Sequence, residues 1–268
     1  MSASLTWQPV GSNWVMLPRR PVAIIHFLGG AFVGAAPQFS YGRLLEAIAA
    51  QGYAIIATPF INTLDHKAIA VAVLQQFENT LDKLCRRPDL SAALRADLNI
   101  LPIYGLGHSM GCKLHLLIGS LFDVERAGNM LMSFNNFDAD RAIPLAEWLN
   151  QSVSIQFTPT PAQTYRLIQE RYPIRRNLLI RFRNDDLDQT RQVGSILSDR
   201  FGSLVTLERL KGNHLTPLGQ DLRWQSQGTF SPIDALGQWV KQELFRDLAF
   251  LEQTLLDWLD SLTFGQRS

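Results

Sequence analysis

Ser109 lies between two glycines in the run Gly107-His108-Ser109-Met110-Gly111, which has the spacing G-x-S-x-G. With glycine at about 7% of residues, three fixed positions give roughly 0.1 chance matches in a chain of this size, so the setting must carry the argument. The motif follows an apolar segment, Leu101-Pro102-Ile103-Tyr104-Gly105-Leu106, and opens an apolar helical one, Cys112 to Leu121. A strand, a tight turn and a helix in that order form a nucleophile elbow. The serine at its tip must hold a strained backbone conformation. The flanking chain then passes so close that side chains at 107 and 111 would collide. The turn also places the hydroxyl at a helix N-terminus, where developing negative charge is favoured.

A serine hydroxyl is a weak nucleophile at neutral pH and needs a base. His214 follows the strand pattern Leu204–Leu210 through Lys211-Gly212-Asn213, and Gly212 permits the turn that brings the ring toward the serine. A carboxylate should then hold the imidazole in its working tautomer. Three follow the apolar run Leu178–Phe182, in Arg183-Asn184-Asp185-Asp186-Leu187-Asp188. By loop length Asp186 is the first choice and Asp185 the second, while Asp188 reads as a cap for a helix beginning near Gln189. The loop Gly29-Gly30-Ala31-Phe32, just after an early strand, suits an oxyanion hole. Its Gly30 or Ala31 amide, together with the Met110 amide, would face the tetrahedral oxygen.

The remaining histidines read as bystanders. His26 lies within a strand pattern and should be a satisfied core residue. His108 is too close to Ser109 in sequence to swing back onto it, and His115 lies farther along the helix the elbow starts. His66, at a helix start, should be solvated. Arg171, Arg175, Arg176, Arg181 and Arg183 form a basic cluster that reads as a solvated face rather than an anion-binding rim. No histidine pair has metal-type spacing near a Cys or Glu, and neither Cys85 nor Cys112 suggests a disulfide framework or zinc; Cys112 should be a small core residue.

The elements that must position these groups are short apolar runs alternating with helical patterns. Trp14–Leu17, Val22–Leu28, Tyr53–Thr58, Leu101–Leu106, Asn129–Phe134, Asn177–Phe182 and Leu204–Leu210 read as strands. Tyr41–Ala50, Ala68–Cys85 and the segment after the elbow read as helices. Strands separated by helix-length segments imply parallel pairing with right-handed crossovers, hence a doubly wound, mostly parallel α/β sheet. The segment 138–176, with several prolines and no sheet strand, reads as a cap or lid inserted into one 268-residue domain; its Trp148, Phe157 and Tyr165 suggest an apolar acyl pocket. From Leu236 to Leu262, leucines and a valine recur every three or four residues. Such a stripe packs on the sheet, with a homodimer interface as the competing use.

Composition narrows the class. Of 268 residues 46% are hydrophobic and 18% charged, which favours a sizeable core over disorder. Lys and Arg total 25 against 24 Asp and Glu, so no whole-chain charge excess points to nucleic acid. The N-terminus lacks a basic segment followed by an apolar stretch, and no apolar run reaches the roughly 20 residues of a membrane span. The expectation is a soluble, cytoplasmic protein acting on a small acyl substrate without a metal or organic cofactor.

Ser109, a following Asp and then His214 occur in the chain order of the α/β-hydrolase superfamily, which the protein resembles. More closely, the stretches from His26 to Pro37 and from Gly107 to His115 resemble a family of unknown function found in cyanobacteria and plastids. The resemblance runs from about Trp14 into the C-terminal helix. It implies the hydrolase fold, Ser109 as nucleophile, His214 as base and an Asp within 185–188, but no substrate. The expected activity is a serine hydrolase cleaving an ester or thioester through an acyl-enzyme. The rival classes are an acyltransferase and a non-catalytic binding or scaffold protein on the same fold.

Overall fold

The continuous apolar runs in the middle of the chain become strands buried on both faces. The structure is a computed structural model in which residues 5–31, 33–137, 156–219 and 238–264 are described. Eight strands form one sheet: β1 (Gln8–Val10), β2 (Asn13–Met16), β3 (Ala23–Leu28), β4 (Tyr53–Ala57), β5 (Ile103–His108), β6 (Gly128–Met132), β7 (Asn177–Asn184) and β8 (Val205–Asn213). Their spatial order is β1-β2-β4-β3-β5-β6-β7-β8. The pairs β1–β2 and β2–β4 are antiparallel, and every other neighbouring pair is parallel. Parallel strands need helices on both faces, so β3, β4 and β6 are buried at every position.

The helices are α1 (Pro37–Ser40), α2 (Gly42–Ala50), α3 (His66–Cys85), α4 (Ala92–Leu98), α5 (Met110–Leu121), α6 (Pro161–Arg171), α7 (Thr190–Phe201) and α8 (Gln238–Phe264). On one face α2 and α8 pack Leu44, Leu45, Ile48, Leu248, Leu251, Leu255 and Leu259 against Ile25, Phe27, Ile55 and Leu106. The C-terminal leucine stripe is thus used on the chain's own core, rather than on a partner, at those four positions. On the other face α3, α5, α6 and α7 bury Val73, Leu114, Leu116, Ile168 and Leu197. Residues 110–120 of α5 are buried all round, because it lies between the sheet and the neighbouring helices.

Of the expected insertion 138–176, residues 138–155, including Trp148, lie outside the described residues. Residues 161–171 are the helix between β6 and β7, and Ile168, Tyr172 and Ile174 join the core with Cys112 and Leu116. Tyr165 packs edge-on to Phe134, with centroids 6.1 Å apart. Among the described residues no helix is long and apolar enough to cross a membrane. The basic cluster is largely exposed, except that Arg181 donates to Asp188 at 2.5 Å.

Two of the buried histidines belong to the core. His26 stacks on Phe77 of α3 at 4.2 Å, and its Nε2 lies 3.2 Å from the Thr58 hydroxyl. The His115 Nε2–H donates to the Leu106 carbonyl at 3.2 Å. Burial, then the neighbouring His115 ring and the Arg126 charge, holds His26 well below the usual histidine range; burial, then the Arg126 charge, lowers His115 to about 3. An unfolded chain takes up protons at these rings below pH 6.5, and the folded one does not until much lower. Stability is therefore complete above pH 6.5 and is lost as pH falls below it, for His115 toward pH 3 at about 1.4 kcal/mol per pH unit. Replacing His115→Gln should reduce the pH slope of the unfolding free energy between pH 6 and 4 by about that amount, measured by urea titration at each pH.

Candidate functional site

The G-x-S-x-G turn closes as tightly as its residue types require. Ser109 has φ 56° and ψ −117°, a left-handed conformation that few non-glycine residues adopt. It is held by its amide donating to the Met132 carbonyl at 2.9 Å and by its carbonyl accepting from Cys112 at 3.1 Å. A Cβ on Gly107 would stand 2.7 Å from the Cys112 nitrogen, and one on Gly111 would stand 2.0 Å from the Leu28 carbonyl oxygen. Hence β5 delivers the serine to the carboxyl edge of the sheet, where α5 begins. Cys112 lies buried beneath the turn, its Sγ–H directed to the Gly107 and Met132 carbonyls at 3.2 and 3.1 Å.

The loop after β8 brings His214 to the same place. Gly212, at φ +115°, makes the turn, and a Cβ there would strike the Thr216 hydroxyl at 2.3 Å. His214 Nε2 stands 3.0 Å from Ser109 Oγ. Its Nδ1 faces the Asp185 carboxylate, at 3.1 Å from Oδ1 and 2.9 Å from Oδ2. The carboxylate accepts, so Nδ1 carries the hydrogen and Nε2 is free to accept from the serine hydroxyl. The Asp185 side chain has no exposed surface, whereas that of His214 is 18% exposed. Burial raises the Asp185 carboxyl, but hydrogen bonding and charge at His214, with help from Ser133 and the Leu187 amide, bring it below the ordinary value.

Asp186, the first choice from sequence, is exposed, and Asp185 occupies the position beside the ring. The reason is strand length. β7 continues two residues past Phe182 to Asn184, with a register shift against β8 between those positions, so the first residue off the strand is Asp185. Asp188, one residue ahead of the Gln189 N-cap of α7, accepts from the Thr190 amide at 3.1 Å and pairs with Arg181.

The early loop also departs from expectation. The Gly30 amide donates to the Tyr41 hydroxyl at 2.8 Å, so it is already committed. All three expected oxyanion residues, Gly30, Ala31 and Met110, line a cavity of about 330 Å³ that also contains Ser109 and His214 in its wall, and of these the Gly30 amide already has a partner. Tyr41 in turn lies 2.8 Å from His108 Nδ1, and His108 Nε2 lies 2.9 Å from the His214 carbonyl. That carbonyl can only accept, so Nε2 holds the proton and Nδ1 accepts from the tyrosine hydroxyl. Burial, then the His214 ring, lowers His108 to about 3, which keeps it neutral. The chain Gly30 N–H to Tyr41 to His108 to the His214 carbonyl thus ties the early loop, β5 and the base loop together.

Sequence reasoning missed three further residues. The Asn135 side-chain amide donates to Ser109 Oγ at 2.7 Å; it comes from the loop after β6, which carried no motif. His66, expected in solvent, is only 4% exposed and stacks on Phe157 at 4.2 Å. The segment 156–160 covers it, held by Thr158 donating to the Leu64 carbonyl and accepting from Lys67. Burial, then the charge of Lys113, lowers His66 to about 3. Lys113 is 2% exposed and lies with His66 and Phe157 in the cavity wall. Among the described residues no group of three or more His, Cys, Asp or Glu is placed to hold a metal ion.

Solved structures similar to this chain share its fold. A dienelactone hydrolase from Anabaena variabilis superposes with a TM-score of 0.54 at 12% identity, covering 96% of both chains. FphF, a fluorophosphonate-binding serine hydrolase of Staphylococcus aureus, gives 0.53 at 17% identity over 88% of this chain and 91% of its own. Carboxyl esterase 2 of the mycorrhizal fungus Tuber melanosporum gives 0.52 at 15% identity, over 92% and 89%. At such identities the likeness is one of fold, and the sheet with its flanking helices is an α/β-hydrolase fold. A search of curated proteins finds no match. The family model described as "Protein of unknown function (DUF1350)" matches residues 6–261, nearly the whole chain, and the protein belongs to that family.

Proposed function

We propose that the protein is a serine hydrolase that cleaves a carboxylic ester or thioester through an acyl-enzyme. One observation carries the reading: Ser109 Oγ, on a left-handed turn at a cavity wall, lies 3.0 Å from an imidazole nitrogen whose ring partner nitrogen faces a buried carboxylate. As Oγ bonds to the carbonyl carbon, its proton passes to His214 Nε2, and Asp185 stabilises the imidazolium. The carbonyl oxygen becomes an oxyanion facing the Ala31 and Met110 amides. Collapse breaks the bond to the alcohol or thiol, which leaves with the Nε2 proton. Water then attacks the acyl-serine, giving its proton to Nε2. The second collapse releases the carboxylic acid and returns that proton to Oγ. Asn135, donating to Oγ before attack, leaves the hydroxyl hydrogen directed at His214 Nε2 and an oxygen lone pair for the carbonyl.

A fluorophosphonate probe should label the wild-type protein at Ser109, and Ser109→Ala and His214→Ala should abolish labelling while both remain folded by circular dichroism. A folded wild type that stays unlabelled would remove the basis for this reading. Asp185→Asn should lower kcat by about 10³-fold or more through loss of the working tautomer, whereas Asp186→Asn should remain within about threefold. Asn135→Ala should reduce kcat about tenfold with KM nearly unchanged, as expected for loss of a positioning contact rather than of substrate binding; steady-state kinetics on an activated ester separates the two.

A further inference from the structure

His108, the variable position just before the nucleophile, has a partner at each ring nitrogen although it is only 1% exposed. The Tyr41 hydroxyl lies 2.8 Å from Nδ1, and the His214 carbonyl lies 2.9 Å from Nε2. A neutral imidazole satisfies both: the carbonyl needs a donor, and the hydroxyl, already accepting from the Gly30 amide, donates to Nδ1. The same ring lies against that of His214, with centroids 4.9 Å apart and planes tilted by 47°. A neutral neighbour suits a base that becomes an imidazolium, because a second cation at that distance would oppose the proton transfer.

Tyr41 is held equally closely. It is buried and packs edge-on to Phe27, with centroids 4.7 Å apart. A Cβ on Gly29 would come within 2.7 Å of the tyrosine ring, so the ring fits only against a glycine. The Tyr41 hydroxyl pins the peptide unit ahead of Gly30 by its N–H, and the Gly34 amide pins the unit after it by donating to the Gly30 carbonyl at 2.7 Å. In a trans peptide the N–H points away from the C=O, so these two bonds set the direction of the Ala31 amide.

We propose that His108 and Tyr41 are positioning residues through which one buried line of hydrogen bonds sets the base and the oxyanion loop together, a role that rests on Ser109 being the nucleophile. Neither side chain exchanges a proton with the substrate. His108 acts through the His214 backbone: with its carbonyl fixed, the imidazole is kept within reach of Ser109 Oγ, 3.0 Å from Nε2. Tyr41 acts at both ends of the line, by orienting the Gly30 peptide and by holding His108 in the tautomer that donates to His214.

His108→Gln and His108→Asn separate this role from packing alone. A glutamine amide reaches the Nε2 position and keeps a donor for the His214 carbonyl, whereas an asparagine amide reaches only the Nδ1 position and keeps a partner for Tyr41. With p-nitrophenyl acetate, His108→Asn should lower kcat about tenfold at nearly unchanged KM, and His108→Gln should stay within about threefold of wild type. The rate of fluorophosphonate labelling should fall in the same order. Tyr41→Phe should lower kcat about tenfold, and combined with His108→Asn it should cost less than the product of the two single losses, because both break one line. If wild type is labelled but the two His108 variants lose equally, or neither loses, the positioning role is overturned and the hydrolase reading is left intact. A readout independent of turnover is the low-field proton resonance of the His214–Asp185 hydrogen bond, which should persist in His108→Gln and broaden or vanish in His108→Asn. If wild type is not labelled and the resonance follows that pattern, the hydrolase reading fails while the hold of His108 on His214 stands; a resonance alike in both variants overturns that hold. Should Tyr41→Phe fail to fold, the contrast between the two His108 variants decides.

Discussion

Gly111 passes the Leu28 carbonyl with no room for even one carbon: a Cβ there would come within 2.0 Å of the oxygen. That close approach brings the start of α5 against the end of β3, and it governs the geometry of the site. It sets the loop after β3 beside the helix N-terminus, so Ala31 and Met110 line one cavity with Ser109. It also compresses the turn until Ser109 must adopt φ 56°. The strain is sustained because the surrounding backbone is over-determined. The Ser109 amide is tied to β6, its carbonyl is tied to Cys112, and α5 is buried along its length.

A second constraint acts across the sheet edge. The loops after β3, β5 and β8 come from distant parts of the sequence, yet one line of hydrogen bonds joins them, from the Gly30 amide through Tyr41 and His108 to the His214 carbonyl. The burial that keeps His108 neutral also gives the line a defined direction, since a neutral ring offers one donor and one acceptor. The imidazole facing Ser109 is thus held twice, by Asp185 at its ring and by His108 at its backbone. The serine hydroxyl lies within hydrogen-bonding distance of both His214 and the Asn135 amide, and Lys113, His66, Phe157 and Met110 line the same cavity.

Much of this was legible before any coordinates. The strands from β3 to β7 lie where continuous apolar runs placed them, because a strand covered on both faces has no polar alternation to confuse its reading. The short edge strand β1, with two exposed residues of three, carries no such signal. His26 and Cys112 proved to be core residues because each lies in an apolar run that has nowhere else to go. His66 misled for the opposite reason. Its neighbours Asp65 and Lys67 mark the exposed start of a helix, and the segment that buries it lies about 90 residues farther along the chain.

What the amino-acid order determined by itself was local. A glycine-flanked serine between an apolar strand and an apolar helix can form only a cramped turn, since steric exclusion acts within a few residues, and the same holds for Gly212 ahead of His214. What the tertiary structure decided was the choice of partners. Asp185 rather than Asp186 meets the imidazole because β7 pairs with β8 as far as Asn184, and the length of a ladder depends on both strands. The Gly30 amide is committed because a tyrosine eleven residues later folds back to accept it. Equivalent side chains a residue apart cannot be ranked from spacing alone, because a shift of one position in a strand turns a side chain from one face of the sheet to the other.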